Sequence, residues 1–380
     1  MKIFDMDTKE YVAIQRFDQP QKKVQQLSDA LYHFENGIFD IIYDRSQPAL
    51  VKYINSLDQE MLQQDGFQFL YFTSGTTGVP TGVYKTKQNS LKQAEVLIKV
   101  FGDQKFNRVV TTVPFVHIYG IDIGGVLPYI LDVDVHTKEN FLPEELALEA
   151  QVEGTLVVTT PVFIKALNRV KKDIKFTNSL FLTSTAPLPQ KDAKEFAKHY
   201  ECSVIQMFAS TETGLISYKK DDEVILKTFD EVKIGEDNGM LNISSPLVTQ
   251  KIIKEGSIQD VVQPFQTEDI VEIINEHEFK LLGRSSNLVK VSGKRISTQQ
   301  IENIIETLDG IDAVLIKVKR DDSALKDEIL NIYVEGQTEL KGKHLRELLK
   351  EHFGSIHIPF KIHNNKKILR SSVGKKIGFE

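Results

Sequence analysis

Apolar positions are scattered among Gln, Asp and Lys over residues 1 to 65 and keep no period, so no element is assigned there. From Gly66 the pattern sharpens. Residues 67–73 form an apolar run that predicts a buried strand, and a glycine- and threonine-rich loop follows over residues 74–82. Leu91, Ala94, Leu97, Ile98 and Phe101 then recur at helical spacing, which predicts a helix after Asn89, capped by Ser90 and ended by Gly102. Strands predicted at 155–160, 179–183 and 203–208 alternate with helices starting near Pro161 and Gln190. That rhythm demands a mostly parallel sheet with right-handed crossovers, whose ligands gather at the carboxyl ends of the strands. The loops 184–188 and 209–214 fall there.

After Gly283 the character changes to a shorter, Lys-rich unit with strands at 288–291, 313–318 and 329–333 and helices at 299–308 and 344–353. The expected fold is therefore α/β: a large N-terminal domain, residues 1–283, with mostly parallel sheets flanked by helices, and a smaller mobile α+β domain, residues 284–380.

A chain of 380 residues, 41% hydrophobic and 26% charged, is globular and long enough for more than one core. Forty-seven basic residues against fifty-three acidic ones give a net charge of −6, and no Lys/Arg stripe stands out, which argues against a nucleic-acid partner. The lone Cys202 makes no internal disulfide, and the acidic start lacks a signal peptide's basic flank and apolar core. No apolar run approaches membrane-spanning length, so a cytoplasmic protein without an integral segment is expected.

The loop Thr73-Ser-Gly-Thr-Thr-Gly-Val-Pro-Thr-Gly82 concentrates glycines, whose backbone can turn several N–H groups toward one anion, with hydroxyls that donate further hydrogen bonds. Its composition is that of a polyphosphate cradle; a plain surface turn is the rival reading. It is not a Walker loop, because no Gly-Lys-Ser/Thr closes it.

Tyr71-Phe-Thr-Ser-Gly-Thr-Thr-Gly-Val-Pro-Thr-Gly-Val83 resembles the signature loop of the adenylate-forming superfamily, which includes acyl-CoA synthetases, luciferases and peptide-synthetase adenylation domains. Further segments match in the family's order. Pro114-Phe-Val-His-Ile-Tyr-Gly120 resembles the acid-pocket motif, Met207-Phe-Ala-Ser-Thr-Glu-Thr-Gly214 the adenine and magnesium motif, and Phe265-Gln-Thr-Glu-Asp269 the ribose-binding segment. The stretch from Gly283 to Ile296 is similar to the hinge and thiol-binding segment, and Arg370-Ser-Ser-Val-Gly-Lys375 to the catalytic-lysine loop.

The resemblance implies that Lys375 is catalytic together with Glu212 and Thr76, and that Glu212 holds Mg²⁺ through a hard carboxylate oxygen. It implies an ATP and AMP site made by Thr73, Ser74, Gly75, Thr76, Thr77, Gly78, Ser184, Ala186, Phe208, Ala209, Ser210, Thr211, Asp269 and Arg284. Phe208 would stack on adenine, where a core aromatic is the bland alternative, and Asp269 would accept from the ribose hydroxyls, where a solvated turn is the alternative. His117, Tyr119 and Gly120 would shape the acid pocket, Gly293 and Arg295 would admit the thiol arm, and Ser286 stands at the hinge. Ile118 occupies a stretch where amino-acid-activating relatives carry an Asp, which favours a neutral fatty or aryl acid. By composition alone Lys375 lies in a solvated basic tail and Arg284 is a surface ion-pair former.

The chain departs from the family pattern at Thr81, Ala209, Glu268 and Ser286, and only about seventy residues precede the phosphate loop. The implied activity uses ATP, Mg²⁺ and CoA to turn a small carboxylic acid into an acyl-adenylate and then a thioester. Two rivals are a ligase loading the phosphopantetheine of an acyl carrier protein, and a degenerate, non-catalytic nucleotide- or acyl-binding subunit.

Overall fold

The computed structural model describes residues 1–73, 80–170, 173–285, 288–291, 294–319, 329–353, 359–371, 374 and 376–380. They divide into two compact units, one of residues 1–234 and 243–265, the other of residues 235–242 and 266–380.

In the first unit the strands Ser203–Ser210, Leu180–Thr183, Thr155–Thr159, Arg108–Thr111, Asp134–Thr137 and Ile3–Asp5 lie side by side, each parallel to the next. The antiparallel strands Gly214–Lys220 and Leu226–Thr228 extend one side of this row, and Glu10–Val12 the other. The helices Pro143–Ala150, Pro161–Val170 and Gln190–Tyr200 alternate with these strands. Their apolar faces close a core around Phe176, Phe181, Phe196 and Tyr200, where the Phe176 and Tyr200 rings stack at 4.3 Å. The βαβ reading is therefore correct here, with a parallel sheet that carries antiparallel margins.

A second sheet is mostly antiparallel. Its order is Ser257–Asp260, Lys251–Lys254, Thr81–Lys85, Phe69–Thr73 and Asp40–Ile42, and only the last pair is parallel. The strands that flank the phosphate loop thus pair antiparallel as the two arms of a hairpin. Thr73 faces Thr81 across the ladder, and Thr81 and Gly82, expected in the loop, begin the returning strand. The helix after it spans Lys87–Phe101 and is capped by Thr86, whose hydroxyl accepts from Asn89 N–H at 3.0 Å while Asn89 Oδ1 accepts from Thr86 N–H. Ser90, the expected cap, instead lies buried inside that helix; Gly102 does end it.

The N-terminal region is ordered into the helices Lys23–Asn36 and Pro48–Ser56. The first of these buries Ser28, Asp29 and His33 along with Val24, Leu27, Leu31 and Phe34, so polar residues interrupt the apolar stripe that would have announced it.

The second unit contains the antiparallel pair Phe265–Asn275 and Glu278–Arg284. It also contains a three-stranded sheet of Ile311–Lys319, Ile329–Gly336 and Phe360–His363, with helices Thr298–Ile305 and Gly342–Phe353. Ile301, Ile305, Val314, Ile332, Leu345 and Leu349 share its core. Helices and a mixed sheet together give this part of the chain its α+β character. The whole is an α/β protein of two units.

Candidate active site

Among the described residues, the first unit carries Thr73 at the end of a hairpin strand and Ser184, Ala186 and residues 208–211 at or just beyond the carboxyl ends of parallel strands. Thr73 ends its strand half-buried, while Ser74, Gly75, Thr76, Thr77 and Gly78 lie outside the described residues. Ser184 follows the strand Leu180–Thr183 and donates from Oγ to the Met207 carbonyl at 3.2 Å, which ties its loop to the next strand. Thr185 takes a left-handed backbone at φ 79°, and Ala186 beside it is half-buried.

Phe208 and Ala209 sit at a register shift between the strands Ser203–Ser210 and Gly214–Lys220. The bulge leaves Phe208 half-buried and Ala209 exposed rather than packed in the core. The turn after them is tied internally: Ser210 Oγ lies 3.0 Å from Thr213 Oγ1 and accepts from Thr213 N–H at 3.1 Å. Thr211 and Glu212 are presented half-buried at its apex.

The backbone of Glu212 is clamped from below. Its carbonyl accepts from Thr249 N–H at 2.8 Å and from Lys85 Nζ at 3.1 Å, and the same Nζ donates to the Leu247 carbonyl at 2.8 Å. Lys85 is fully buried at the end of the hairpin's second strand, and burial lowers its ammonium to about 8, opposed by the charges of Asp122 and Glu212. The Glu212 carboxylate takes part in no hydrogen bond or ion pair among the described residues. A half-exposed carboxylate on a rigid turn, with its oxygens unspent, fits a hard divalent cation.

Sequence reasoning missed Lys85 and its companion Asp122. Asp122 lies in a π-helical stretch, Tyr119–Val126, and is buried among Ser90 Oγ, which donates at 2.9 Å, Gln93 Nε2 and Tyr71 OH. Burial raises its carboxyl to about 7, against the hydrogen bond from Ser90 and the charge of Lys85. Gln93 Oε1 also accepts from Leu215 N–H at 3.2 Å, so this polar network reaches the strand that follows Glu212. The one available signal was a lysine closing an otherwise apolar strand, Thr81–Lys85.

In the candidate acid pocket Tyr119 is buried, and its hydroxyl lies 2.9 Å from the Thr159 carbonyl and 3.0 Å from the Leu182 carbonyl. Burial holds its phenol well above the ordinary range, so it is a wall bolted to two strand ends rather than a proton carrier. Gly120 is there because a Cβ would sit 2.1 Å from the Pro114 carbonyl oxygen. His117 is half-buried just before the π-helical stretch.

In the second unit Asp269 and Arg284 are cross-strand partners, and Arg284 Nε donates to Asp269 Oδ1 at 3.0 Å. Asp269 is 6% exposed, and its burial raises the carboxyl despite the neighbouring guanidinium. Arg284 thus holds Oδ1 of a buried carboxylate. Ser286, Gly293 and Lys375 lie outside the described residues, as does the side chain of Arg295. Next to Lys375 in the chain, Lys376 is pinned by Glu302 at 3.1 Å, Glu306 at 2.6 Å and the Val314 carbonyl at 2.6 Å.

The family model described as AMP-binding enzyme matches residues 5–235, more than half of the chain. A 2-succinylbenzoate–CoA ligase of Listeria monocytogenes is 25% identical over 320 residues, covering 80% of this chain and 67% of the relative. A Staphylococcus epidermidis protein provisionally named long chain fatty acid-CoA ligase is 23% identical over 328 residues, covering 80% and 68%. Among solved structures, the O-succinylbenzoate coenzyme A synthetase of Bacillus subtilis in complex with ATP and magnesium ion superposes with a TM-score of 0.75 at 17% identity, over 94% of this chain and 86% of that one. ATP-bound MatB from Rhodopseudomonas palustris gives a TM-score of 0.69 at 16% identity, over 82% and 67%. The structural likeness shows the fold, and the family match carries the assignment: the chain belongs to the AMP-binding enzymes.

Proposed function

We propose that the protein is an AMP-forming acid–CoA ligase. The substrate carboxylate attacks the α-phosphorus of ATP, the bond to the β-phosphate oxygen breaks and pyrophosphate leaves; the CoA thiol then attacks the acyl carbon of the adenylate and AMP leaves. The observation that carries this reading is the Glu212 turn: an unspent carboxylate, fixed through its own carbonyl to Lys85 at the end of the phosphate-loop hairpin. Mg²⁺ bound there supplies positive charge against the polyphosphate. Phe208, half-buried beside the register shift, would stack on adenine, and Thr73 with residues 74–78 would bind the phosphates.

Asp269 accepts from the ribose hydroxyls, with Arg284 Nε holding its Oδ1. Lys375 supplies the charge that opposes the negative charge building on the α-phosphoryl group. We place the functional boundary between residues 283 and 284, with the segment carrying Ser286, Gly293 and Arg295 serving hinge and thiol arm. The acid is neutral and apolar, fatty or aryl, consistent with Tyr119 and Ile118 in the pocket wall.

The test is acid-dependent ATP–pyrophosphate exchange across short, long and aryl acids, followed by product mass with CoA or a carrier-protein phosphopantetheine as acceptor. Exchange with one acid class and an acyl-CoA product are expected. Absence of exchange with every acid would sink the ligase reading, and a product on the carrier alone would replace CoA as the acceptor.

A further inference from the structure

The helix Lys23–Asn36 carries Asp29 and His33 one turn apart, on one face. Gly37 ends it in the left-handed region at φ 67°, which lets the chain double back and set Asp40 at the head of the strand Asp40–Ile42 against that face. The two carboxylates are oriented alike. Phe17 N–H donates to Asp29 Oδ1 at 2.7 Å, and Ile41 N–H donates to Asp40 Oδ1 at 2.8 Å. Both Oδ2 atoms are thereby turned toward His33 Nδ1, at 3.4 and 3.5 Å.

None of these three atoms is spent. His33 is 7% exposed and its buried Nδ1 has no hydrogen-bond partner, and neither Oδ2 enters a hydrogen bond among the described residues. The three lie within 4.8 Å of one another. Ligand atoms about 2.0–2.1 Å from a tetrahedral zinc are separated by about 3.4 Å, which is the spacing seen here on two edges. Asp40 keeps 21% side-chain exposure, which gives an ion a route in and leaves a position for water.

We propose that Asp29, His33 and Asp40 form a binding site for a divalent transition-metal ion of the zinc class, distinct from the magnesium site at Glu212. One imidazole nitrogen and two carboxylates favour zinc, cobalt or manganese over calcium or magnesium, which prefer oxygen alone. The ion ties the N-terminal helix to the edge strand of the hairpin sheet. The backbone bonds to both Oδ1 atoms act as the outer shell that aims the ligands.

The experiment titrates the full chain, stripped with chelator, with Co²⁺ alone. The expected result is the visible absorption of a tetrahedral nitrogen–oxygen site that saturates at a single equivalent and is displaced by Zn²⁺. His33→Gln and Asp40→Asn each weaken it by more than about tenfold, and Glu212→Gln leaves it intact even if acid activation is lost. Asp40→Asn keeps the Oδ1 acceptor for Ile41, so it decides the matter if His33→Gln does not fold. No band in the wild-type protein, an unchanged band in Asp40→Asn, or loss of the band in Glu212→Gln each overturns the proposal.

Discussion

Glu212 owes its place to groups that touch only its backbone, so its side chain can be changed without disturbing the turn. Glu212→Gln is expected to lower ATP–pyrophosphate exchange by about tenfold or more, with the Mg²⁺ dependence shifted to higher concentration, because a neutral amide binds a hard cation weakly. Lys375→Ala is expected to reduce exchange by about 100-fold, roughly the effect of removing one preorganised donor from a developing charge, while ATP binding measured calorimetrically changes little. Unchanged exchange in that variant would contradict the assigned role. Lys85 differs from both, because its own charge is buried. Lys85→Met strands the Leu247 carbonyl and removes a donor from Glu212, and a loss of about 1–3 kcal/mol in urea unfolding is expected.

At the scale of elements, two buried charge groups hold pieces of the structure in register. Asp122 in the π-helical stretch is raised from 3.8 to about 7, so between those pH values the folded chain holds a proton that the unfolded chain has released. The stability this group contributes is complete below pH about 4 and lost as pH rises through about 7, with a slope of at most about 1.4 kcal/mol per pH unit. Asp122→Asn should flatten the stability profile over that window in chemical unfolding at a series of pH values. Lys85 acts in the opposite sense at higher pH: its lowering from 10.5 to about 8 makes stability rise with pH between those values. In the second unit Lys376 neutralises Glu302 and Glu306, which are 5% and 6% exposed. Lys376→Met leaves two carboxylates buried without their cation, and a loss of about 3–5 kcal/mol is expected, read as a fall in the melting temperature of the chain.

At the scale of the molecule, the aligned region spans about two-thirds of the Listeria relative's length. The first unit contains the strands flanking the phosphate loop, the Glu212 turn and the buried Tyr119; the second contains the Asp269–Arg284 pair. No described helix is long and apolar enough to cross a membrane. The acid panel belongs to this scale, because chain length is set by the depth of a pocket whose walls come from several elements rather than by any one residue.

The sequence by itself determined the βαβ rhythm, the α+β character of the C-terminal part and the ordered motifs. Each depends on local period or on a short run of residues: glycines and hydroxyls in the loop 73–82, apolar steps from Leu91 to Phe101, a carboxylate at 212. The tertiary structure alone decided that the strands flanking the phosphate loop pair antiparallel, that Thr86 and not Ser90 caps the following helix, and that Asp269 and Arg284 pair across adjacent strands. It also decided that Lys85 reaches carbonyls 127 and 162 residues away and that Asp29, His33 and Asp40 converge. Those outcomes rest on burial and long-range pairing, which give a polar residue its partner and cost it its water, and neither leaves a period in the sequence.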